Sequence, residues 1–114
     1  MKERLLAIAV AHDGVNQDRH GKERMAFEEL VRVLLESEEI PATLCFYTEG
    51  VRWLTRGSPL VEDLKELGRR GADIVVCRAC LAEAGLLEDM AVGRLGTEDH
   101  IDEILRHAQH AMVL

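Results

Sequence analysis

Two of the three cysteines lie three positions apart, in the segment VVCRACL at residues 75–81. The apolar residues before Cys77 predict a buried strand, and the residues after it predict a helix. Cys77 then lies beside the free N–H groups of the helix start. These donors, the positive end of the helix and the neighbouring Arg78 favour a thiolate. Because the thiolate is the form that attacks a disulfide or a sulfane sulfur, we predict that Cys77 is the reactive residue.

Cys80 follows about one helical turn later and has two interpretations. It could resolve an oxidised or persulfidated Cys77 by forming a disulfide with it. Alternatively, it could be a small buried residue on the inner face of the helix. Cys45 stands between Leu44 and Phe46 in the middle of a predicted strand, and we expect it to belong to the core. Three cysteines cannot all pair within one chain, so we interpret them as thiols.

The C-x-x-C spacing also occurs in zinc sites and in thioredoxin-like redox motifs. A structural zinc site needs four ligands, typically as two pairs at similar spacing, and the sequence holds no second pair. A thioredoxin-like motif is expected after the first strand of its βαβ unit, whereas Cys77 follows the third predicted strand. We therefore expect no metal ligands and no cofactor.

Four further residues are predicted to line the substrate pocket around Cys77. His12 follows the first predicted strand, from which it could approach the thiol and help to activate it. A solvated loop position is the simpler interpretation of this histidine. Glu49 and Gly50 leave the second strand at its carboxyl end, and Arg78 directly follows the cysteine. These residues are grouped because sites in parallel sheets gather at the carboxyl ends of the strands.

Hydrophobic patterns predict five strands that alternate with helices. The strands are predicted at residues 5–11, 43–47, 73–77, 90–95 and 111–114. Helices are predicted from residue 22 to before Pro41, from Ser58 to Gly68 or Gly71, over residues 78–84, and after the N-cap Thr97. This alternation implies right-handed crossovers and a mostly parallel sheet with helices on both faces, which is an α/β fold.

Length, composition and charge limit the class of protein. With 114 residues and 47% hydrophobic content, the chain fits one domain with one core. A net charge of −7 repels nucleic acid and anionic membranes. The apolar stretch near the N-terminus is too short for an export signal, and no run approaches the roughly 18 apolar residues that span a bilayer. We expect a cytoplasmic protein.

Five stretches of the sequence resemble the DsrE family. They are FYTEGV at 46–51, GSP at 57–59, LKEL at 64–67, GADIVVCRACL at 71–81 and AVG at 91–93. Within the family, the chain is most similar to the DsrE-like domain of YedF-type proteins, which are described as sulfurtransferase-like. The resemblance is good from Phe46 onward and extends before it only to the order of the elements.

The resemblance implies a three-layer α/β/α fold with a mostly parallel five-stranded sheet, one DsrE-like domain over residues 1–114, and a homo-oligomer. It also implies that Cys77 accepts persulfide sulfur from a donor protein and relays it to an acceptor protein. Relay members of the family often lack the second cysteine, so Cys80 departs from their pattern. YedF-type proteins carry an additional N-terminal domain, and we expect an acceptor on a separate chain to take its place.

Two principal hypotheses follow for the function. The first is a small cytoplasmic sulfur carrier or sulfurtransferase-like protein, with Cys77 and Cys80 in the catalytic roles and no nucleic-acid or membrane partner. The second is a non-catalytic binding or redox-sensing module of the same fold. A dithiol oxidoreductase, in which the two cysteines form a reversible disulfide, is a third option.

Overall fold

Strands and helices alternate along residues 6–11, 22–37, 42–108 and 110–113, which are the residues that the computed structural model describes. The strands are β1 Leu6–Val10, β2 Ala42–Phe46, β3 Asp73–Cys77, β4 Arg94–Gly96 and β5 His110–Val113. The α-helices are α1 Lys22–Glu36, α2 Val61–Arg69, α3 Arg78–Glu83 and α4 Glu98–His107. Two 3₁₀ helices span Thr48–Leu54 and Leu87–Asp89.

The five strands form one sheet in the order β4-β3-β2-β1-β5, and every neighbouring pair runs parallel. The three central strands are covered on both faces, which explains why their sequences are nearly continuous apolar runs. Ile8, Leu44 and Val75, one from each of these strands, have no solvent exposure. The predicted parallel sheet of five strands is confirmed.

The helices cover both faces because the chain reverses its direction of travel across the sheet. From β1 to β4 each new strand is added on the same side, and right-handed crossovers place the intervening helices on one face. The return from β4 to β5 runs the opposite way, so α4 lies on the other face. In agreement, α1 contacts α2, whereas α4 contacts β1 and β3. The predicted three-layer α/β/α architecture is confirmed.

The two faces bury cores of unequal size. In the larger core, between the sheet and α1 and α2, Phe27 packs edge-on against Phe46 with ring centroids 5.8 Å apart. Trp53 of the first 3₁₀ helix lies against the same ring of Phe27 at 4.9 Å. The smaller core, under α4, contains Cys45, Val75, Cys77 and Ile101. Two of the three thiols therefore lie in the smaller core.

The fourth strand is shorter than predicted and begins later. Met90, which was expected to open it, instead forms an isolated antiparallel bridge with Thr55. Gly93 then turns the chain with a φ of 95°, a conformation that favours glycine, and β4 begins at Arg94. Because β4 ends at Gly96, the loop at the carboxyl edge of the sheet begins one residue later than the sequence predicted.

The second helix begins at Val61 rather than directly after Ser58. The serine oxygen accepts a hydrogen bond from the N–H of Leu60 at 3.2 Å, so it stabilises the preceding turn instead of capping the helix. Gly71, with a φ of 108°, follows the end of α2, as predicted. None of the helices in the described ranges has the length and apolar character of a membrane span.

Candidate functional site

Cys77 ends β3 and caps α3. Its backbone is extended, with φ −66° and ψ 112°, and its sulfur accepts a hydrogen bond from the N–H of Cys80 over 3.4 Å. The thiol therefore takes a position that Ser, Thr, Asp or Asn usually fills, where a side chain satisfies a free helix donor. Leu81 on the same helix is fully buried and packs into the larger core. The predicted placement of Cys77 at a strand-to-helix turn is confirmed.

An open cleft of about 500 Å³ lies beside Cys77 at the carboxyl edge of the sheet. β3 continues into α3 on one face of the sheet, and its neighbour β4 continues into α4 on the other face. The connections after β3 and β4 therefore leave the sheet in opposite directions and leave a crevice between them. Open α/β sheets usually bind their ligands in such a crevice. The cleft is lined by both thiols together with Tyr47, Ile101, Leu105, Glu98, Asp99 and Asp102. Its three carboxylates make it acidic.

The environment of Cys77 does not favour the thiolate that the sequence predicted. The side chain is 0% exposed, and burial is the main reason that the pKa of its thiol rises to about 11. The side chain of Cys80 and the nearby charge of Glu98 raise the pKa further, while the N–H of Cys80 lowers it by less than burial raises it. The expectation that helix donors and a guanidinium would make the anion the favoured form is wrong for the chain in this state.

Arg78 is the residue from which that guanidinium was expected. Its side chain is exposed and borders a separate depression of about 390 Å³, which it shares with Ala79, Thr97 and Glu98. The charged group that acts on the Cys77 thiol is the Glu98 carboxylate. A role for Arg78 in binding substrate stays a prediction.

Cys80 and Glu98 complete a compact group around Cys77. The two sulfurs and a carboxylate oxygen of Glu98 all lie within 4.8 Å of one another. Cys80 is partly exposed, and Glu98 is exposed at the first turn of α4. Thr97 fixes the start of that helix, because its hydroxyl oxygen accepts a hydrogen bond from the N–H of His100 at 3.0 Å.

Sequence reasoning missed Glu98 as a member of the site. Only the N-cap Thr97 was predicted at the start of this helix, and no role in the site was given to Glu98 or Asp99. The available signal was topological, because both follow the end of a parallel strand, where sites gather. Their nearness to Cys77 depends on β3 and β4 being neighbours in register, with Cys77 opposite Gly96.

Gly50 and Glu49 follow β2 at the same edge of the sheet. A Cβ on Gly50 would lie 2.0 Å from the carbonyl oxygen of Val10, so only glycine allows this close approach of β1. Glu49 borders a depression of about 300 Å³ that it shares with Cys80. The predicted role of His12 falls outside the described residues.

Thr48 is a further residue of this edge that the sequence did not single out. It borders the main cleft with a φ of 48°, a conformation that is unusual for a β-branched residue. Its hydroxyl donates to the carbonyl oxygen of Ala11 at 2.6 Å, a contact that helps to hold this backbone in place. Unusual backbone conformations of this kind are concentrated at functional sites.

Comparisons with known proteins agree on one family and one fold. The model of the DsrE/DsrF-like family matches residues 7–112. The structure of the YchN protein from E. coli superimposes with a TM-score of 0.68 at 13% identity, covering 100% of both chains. MTH1491 of Methanobacterium thermoautotrophicum, a protein of unknown function, superimposes with a TM-score of 0.70 at 16% identity, over 96% of this chain and 97% of its own.

A third structure, the conserved protein of unknown function BT1422 from Bacteroides thetaiotaomicron, superimposes with a TM-score of 0.70 at 12% identity. The superposition covers 96% of this chain and 95% of that one. At these identities the three structures show a common fold and no more. None of the curated protein sequences compared with the chain matches it significantly.

Proposed function

The chain belongs to the DsrE/DsrF-like family, and from this membership and the position of Cys77 we propose that it is a small sulfur carrier. The family is associated with sulfur relay in general. In this proposal Cys77 accepts a sulfane sulfur from a donor protein and passes it to an acceptor protein. The observation that carries the proposal is a thiol at the end of β3, beside the cleft where the connections after β3 and β4 part.

The transfer exchanges one sulfur–sulfur bond for another. The Cys77 thiol loses its proton, and its sulfur attacks the terminal sulfur of a persulfide on the donor. The donor's sulfur–sulfur bond breaks, and the donor leaves as a thiol that takes up the proton. Cys77 is then a persulfide, and the same exchange in reverse loads the acceptor. No external oxidant or reductant is required.

The raised pKa of Cys77 gives this carrier a resting state of low reactivity. With a pKa of about 11, almost all of the thiol is protonated at neutral pH, so it reacts slowly with electrophiles and oxidants other than its partners. A partner that brings a positive charge next to Glu98 opposes one of the causes of that raised pKa. The acidic lining of the cleft suits a basic surface on the donor or acceptor, so docking itself would activate the thiol.

Cys80 is placed to act after loading. Its thiol lies beside Cys77 and is partly exposed, so it can attack the inner sulfur of a Cys77 persulfide. That attack forms the Cys77–Cys80 disulfide and releases the outer sulfur as hydrogen sulfide. A reductant of the thiol class must then restore the dithiol.

The remaining parts of the proposal concern partners and location. We place Glu49, Arg78 and His12 among the residues that contact the donor or acceptor, while the buried Gly50 shapes the edge beside them. We place the reaction in the cytoplasm, where thiols stay reduced. We also propose a homo-oligomer, as the resemblance to the DsrE family implies. Sedimentation of the purified chain measures the number of subunits.

Persulfide loading followed by mass spectrometry tests the central claim. The reduced chain is incubated with a small alkyl persulfide, the excess donor is removed, and the intact mass of the protein is measured. Because Cys80 would convert the persulfide into a disulfide, the measurement is made in a Cys80→Ser background. We expect a gain of one sulfur atom in Cys80→Ser and in Cys80→Ser with Cys45→Ala, and no gain when Cys77→Ser is added. The Cys45 variant is the matched control, since it removes a thiol that is equally buried. Undiminished loading of Cys77→Ser contradicts the proposal.

The raised pKa of Cys77 is compatible with the binding form of the second hypothesis, a non-catalytic binding or redox-sensing module of the same fold, because binding needs no thiolate. Such a module takes up no sulfane sulfur, but mild oxidation would join Cys77 to Cys80. Intact mass under non-reducing conditions separates the two functions. A loss of two hydrogens on oxidation of the natural chain, together with no sulfur uptake by Cys80→Ser, supports the module and excludes the carrier.

A further inference from the structure

The group formed by Cys77, Cys80 and Glu98 has the composition of a metal site. The two sulfurs and one carboxylate oxygen lie within 4.8 Å of one another, although Glu98 comes from a different strand-to-helix connection. Tetrahedral zinc, with bonds of about 2.3 Å to sulfur and about 2.0 Å to oxygen, holds its ligand atoms roughly 3.5–3.8 Å apart. The ligand atoms must therefore move closer by up to about 1 Å, which side-chain rotation of the partly exposed Cys80 and the exposed Glu98 can provide.

The backbone already provides the support that such a site needs. The N–H of Cys80 donates to the sulfur of Cys77 at 3.4 Å, which orients that sulfur and partly neutralises it once it carries charge. The N-cap bond of Thr97 fixes the helix start from which Glu98 projects. Two rigid turns therefore present the three ligands, and neither depends on a long loop.

The cleft provides the charge and the open position. Asp99 and Asp102 line it beside Glu98, so the field at the thiols attracts cations. With three protein ligands and a cleft of about 500 Å³ next to them, a fourth position remains for water or an incoming thiol. Three ligands and an open position are typical of zinc sites that bind or activate a ligand rather than serve structure.

We propose that this cleft binds one zinc ion through Cys77, Cys80 and Glu98. Binding replaces the two thiol protons, so one Zn²⁺ enters and two protons leave, with no change in oxidation state. Cysteine spacing alone does not indicate such a site, because the sequence holds no second cysteine pair. The third ligand is a carboxylate from the neighbouring strand's connection, and the fourth is external.

Zinc binding and sulfur loading use the same atom. A zinc ion on Cys77 draws electron density from the sulfur that would attack a persulfide and lowers its nucleophilicity, and a persulfidated Cys77 no longer offers its original thiolate to zinc. Zinc binding and sulfur loading therefore compete for Cys77. The metal site itself does not depend on the chain being a sulfur carrier, since it follows from the three ligands alone.

Titration with Co²⁺, followed by Zn²⁺, tests the proposal. The reduced full-length chain is titrated without oxygen, and absorption from thiolate to cobalt is recorded together with the tetrahedral cobalt bands. We expect saturation at one ion per chain and loss of the bands when an equal amount of Zn²⁺ is added. Cys77→Ser and Cys80→Ser should each lose most of the thiolate absorption. Glu98→Gln should bind at least about tenfold more weakly, because a charged ligand is removed.

Two control variants make the result specific. Cys45→Ala removes the third thiol, and Glu103→Gln removes an exposed carboxylate from the same helix as Glu98; both should bind like the natural chain. Absence of thiolate-to-cobalt absorption overturns the proposal, as does full affinity in Glu98→Gln. The titration contains no sulfur donor. A chain that binds zinc but takes up no sulfane sulfur therefore refutes only the carrier function, and the reverse result refutes only the metal site.

Discussion

Cys45 and Cys77 are two buried thiols in the same small core, and they differ in where they lie along the sheet. Both are 0% exposed, and burial is the main cause that raises the pKa of each to about 11. Cys45 lies mid-strand, between Ala9 on β1 and Val75 on β3. Cys77 is the last residue of its strand and borders the cleft.

Neither burial nor the thiol pKa therefore distinguishes the candidate reactive cysteine from the structural one in this chain. What separates the two is the carboxyl edge of the sheet, where strands give way to turns that can present other side chains. Cys77 there has a second thiol and a carboxylate beside it, as well as a backbone donor to its sulfur. Cys45 lies in the sheet interior, where hydrogen-bonded strands flank it on both sides.

The largest expected difference between Cys45 and Cys77 is the accessibility of their thiols to a reagent. Alkylation by iodoacetamide measures this accessibility. Burial raises the pKa of both thiols to about 11, so the pKa values predict no large difference in rate, and the rates report mainly exposure. Cys77 needs only a local opening beside the cleft. Cys45 needs the sheet to open, which costs most of the roughly 5–15 kcal/mol of a domain's stability. We expect Cys45 to react at least about a thousandfold more slowly.

Peptide mass spectrometry over a time course gives both rates from one sample. In concentrated urea the two cysteines should react at the same rate, which checks that the difference belongs to the fold. Equal rates in the native chain would show that the position along the sheet does not control access. The comparison between edge and interior would then fail.

The next largest effect is a loss of stability at Gly50, which lies at the carboxyl edge of the sheet. In Gly50→Ala the added methyl group meets the Val10 carbonyl oxygen at 2.0 Å, and no side-chain rotation relieves a clash with backbone. We expect a loss of about 3 kcal/mol in the free energy of unfolding, measured by urea denaturation. Gly68→Ala is the matched control, since its new Cβ meets only Ile74 at 3.8 Å and lies in α2. It should be neutral or gain up to about 1 kcal/mol.

Most of the fold was predictable from the sequence because it depends on local patterns. The apolar runs of β1, β2 and β3 and the stripe of α1 each specify their own element, and right-handed crossovers then fix the sheet. β4 was predicted less well, because it has only three residues and two of them are exposed. Its limits depend on the bridge between Thr55 and Met90, which involves residues far apart in the sequence.

The site could be predicted only for those of its residues that are close together in the sequence. Cys77 and Cys80 were found because strand, turn and helix are consecutive. Glu98 was not, because its nearness to the thiols requires β3 and β4 to be neighbours in a particular register. The pKa of Cys77 was predicted in the wrong direction for a similar reason. Its N-cap position is local, but its burial under α4 is tertiary, and burial has the larger effect.

Alkaline pH should destabilise the folded chain through the buried thiol of Cys45. The pKa of Cys45 is raised from 9.0 to about 11 in the folded chain, so the unfolded chain loses this proton first as the pH rises. The contribution is fully present below pH 9 and is lost between pH 9 and about pH 11. Two pKa units correspond to about 3 kcal/mol. Urea denaturation from pH 8 to pH 11 measures it, with Cys45→Ala as the reference that lacks this proton. Parallel curves for the two chains would contradict the assignment.

The smallest effect comes from the same substitution at both thiols. In Cys77→Ser the hydroxyl oxygen can accept the N–H of Cys80, and serine is a favoured N-cap, so the free energy of unfolding should fall by less than about 0.5 kcal/mol. In Cys45→Ser a hydroxyl enters a strand interior whose backbone acceptors are already paired, and we expect a loss of about 1–2 kcal/mol. Cys45→Ala, which adds no polar group, should lose less than Cys45→Ser. If both serine variants lose the same stability, the cap at Cys77 contributes nothing, and the edge of the sheet is energetically no different from its interior.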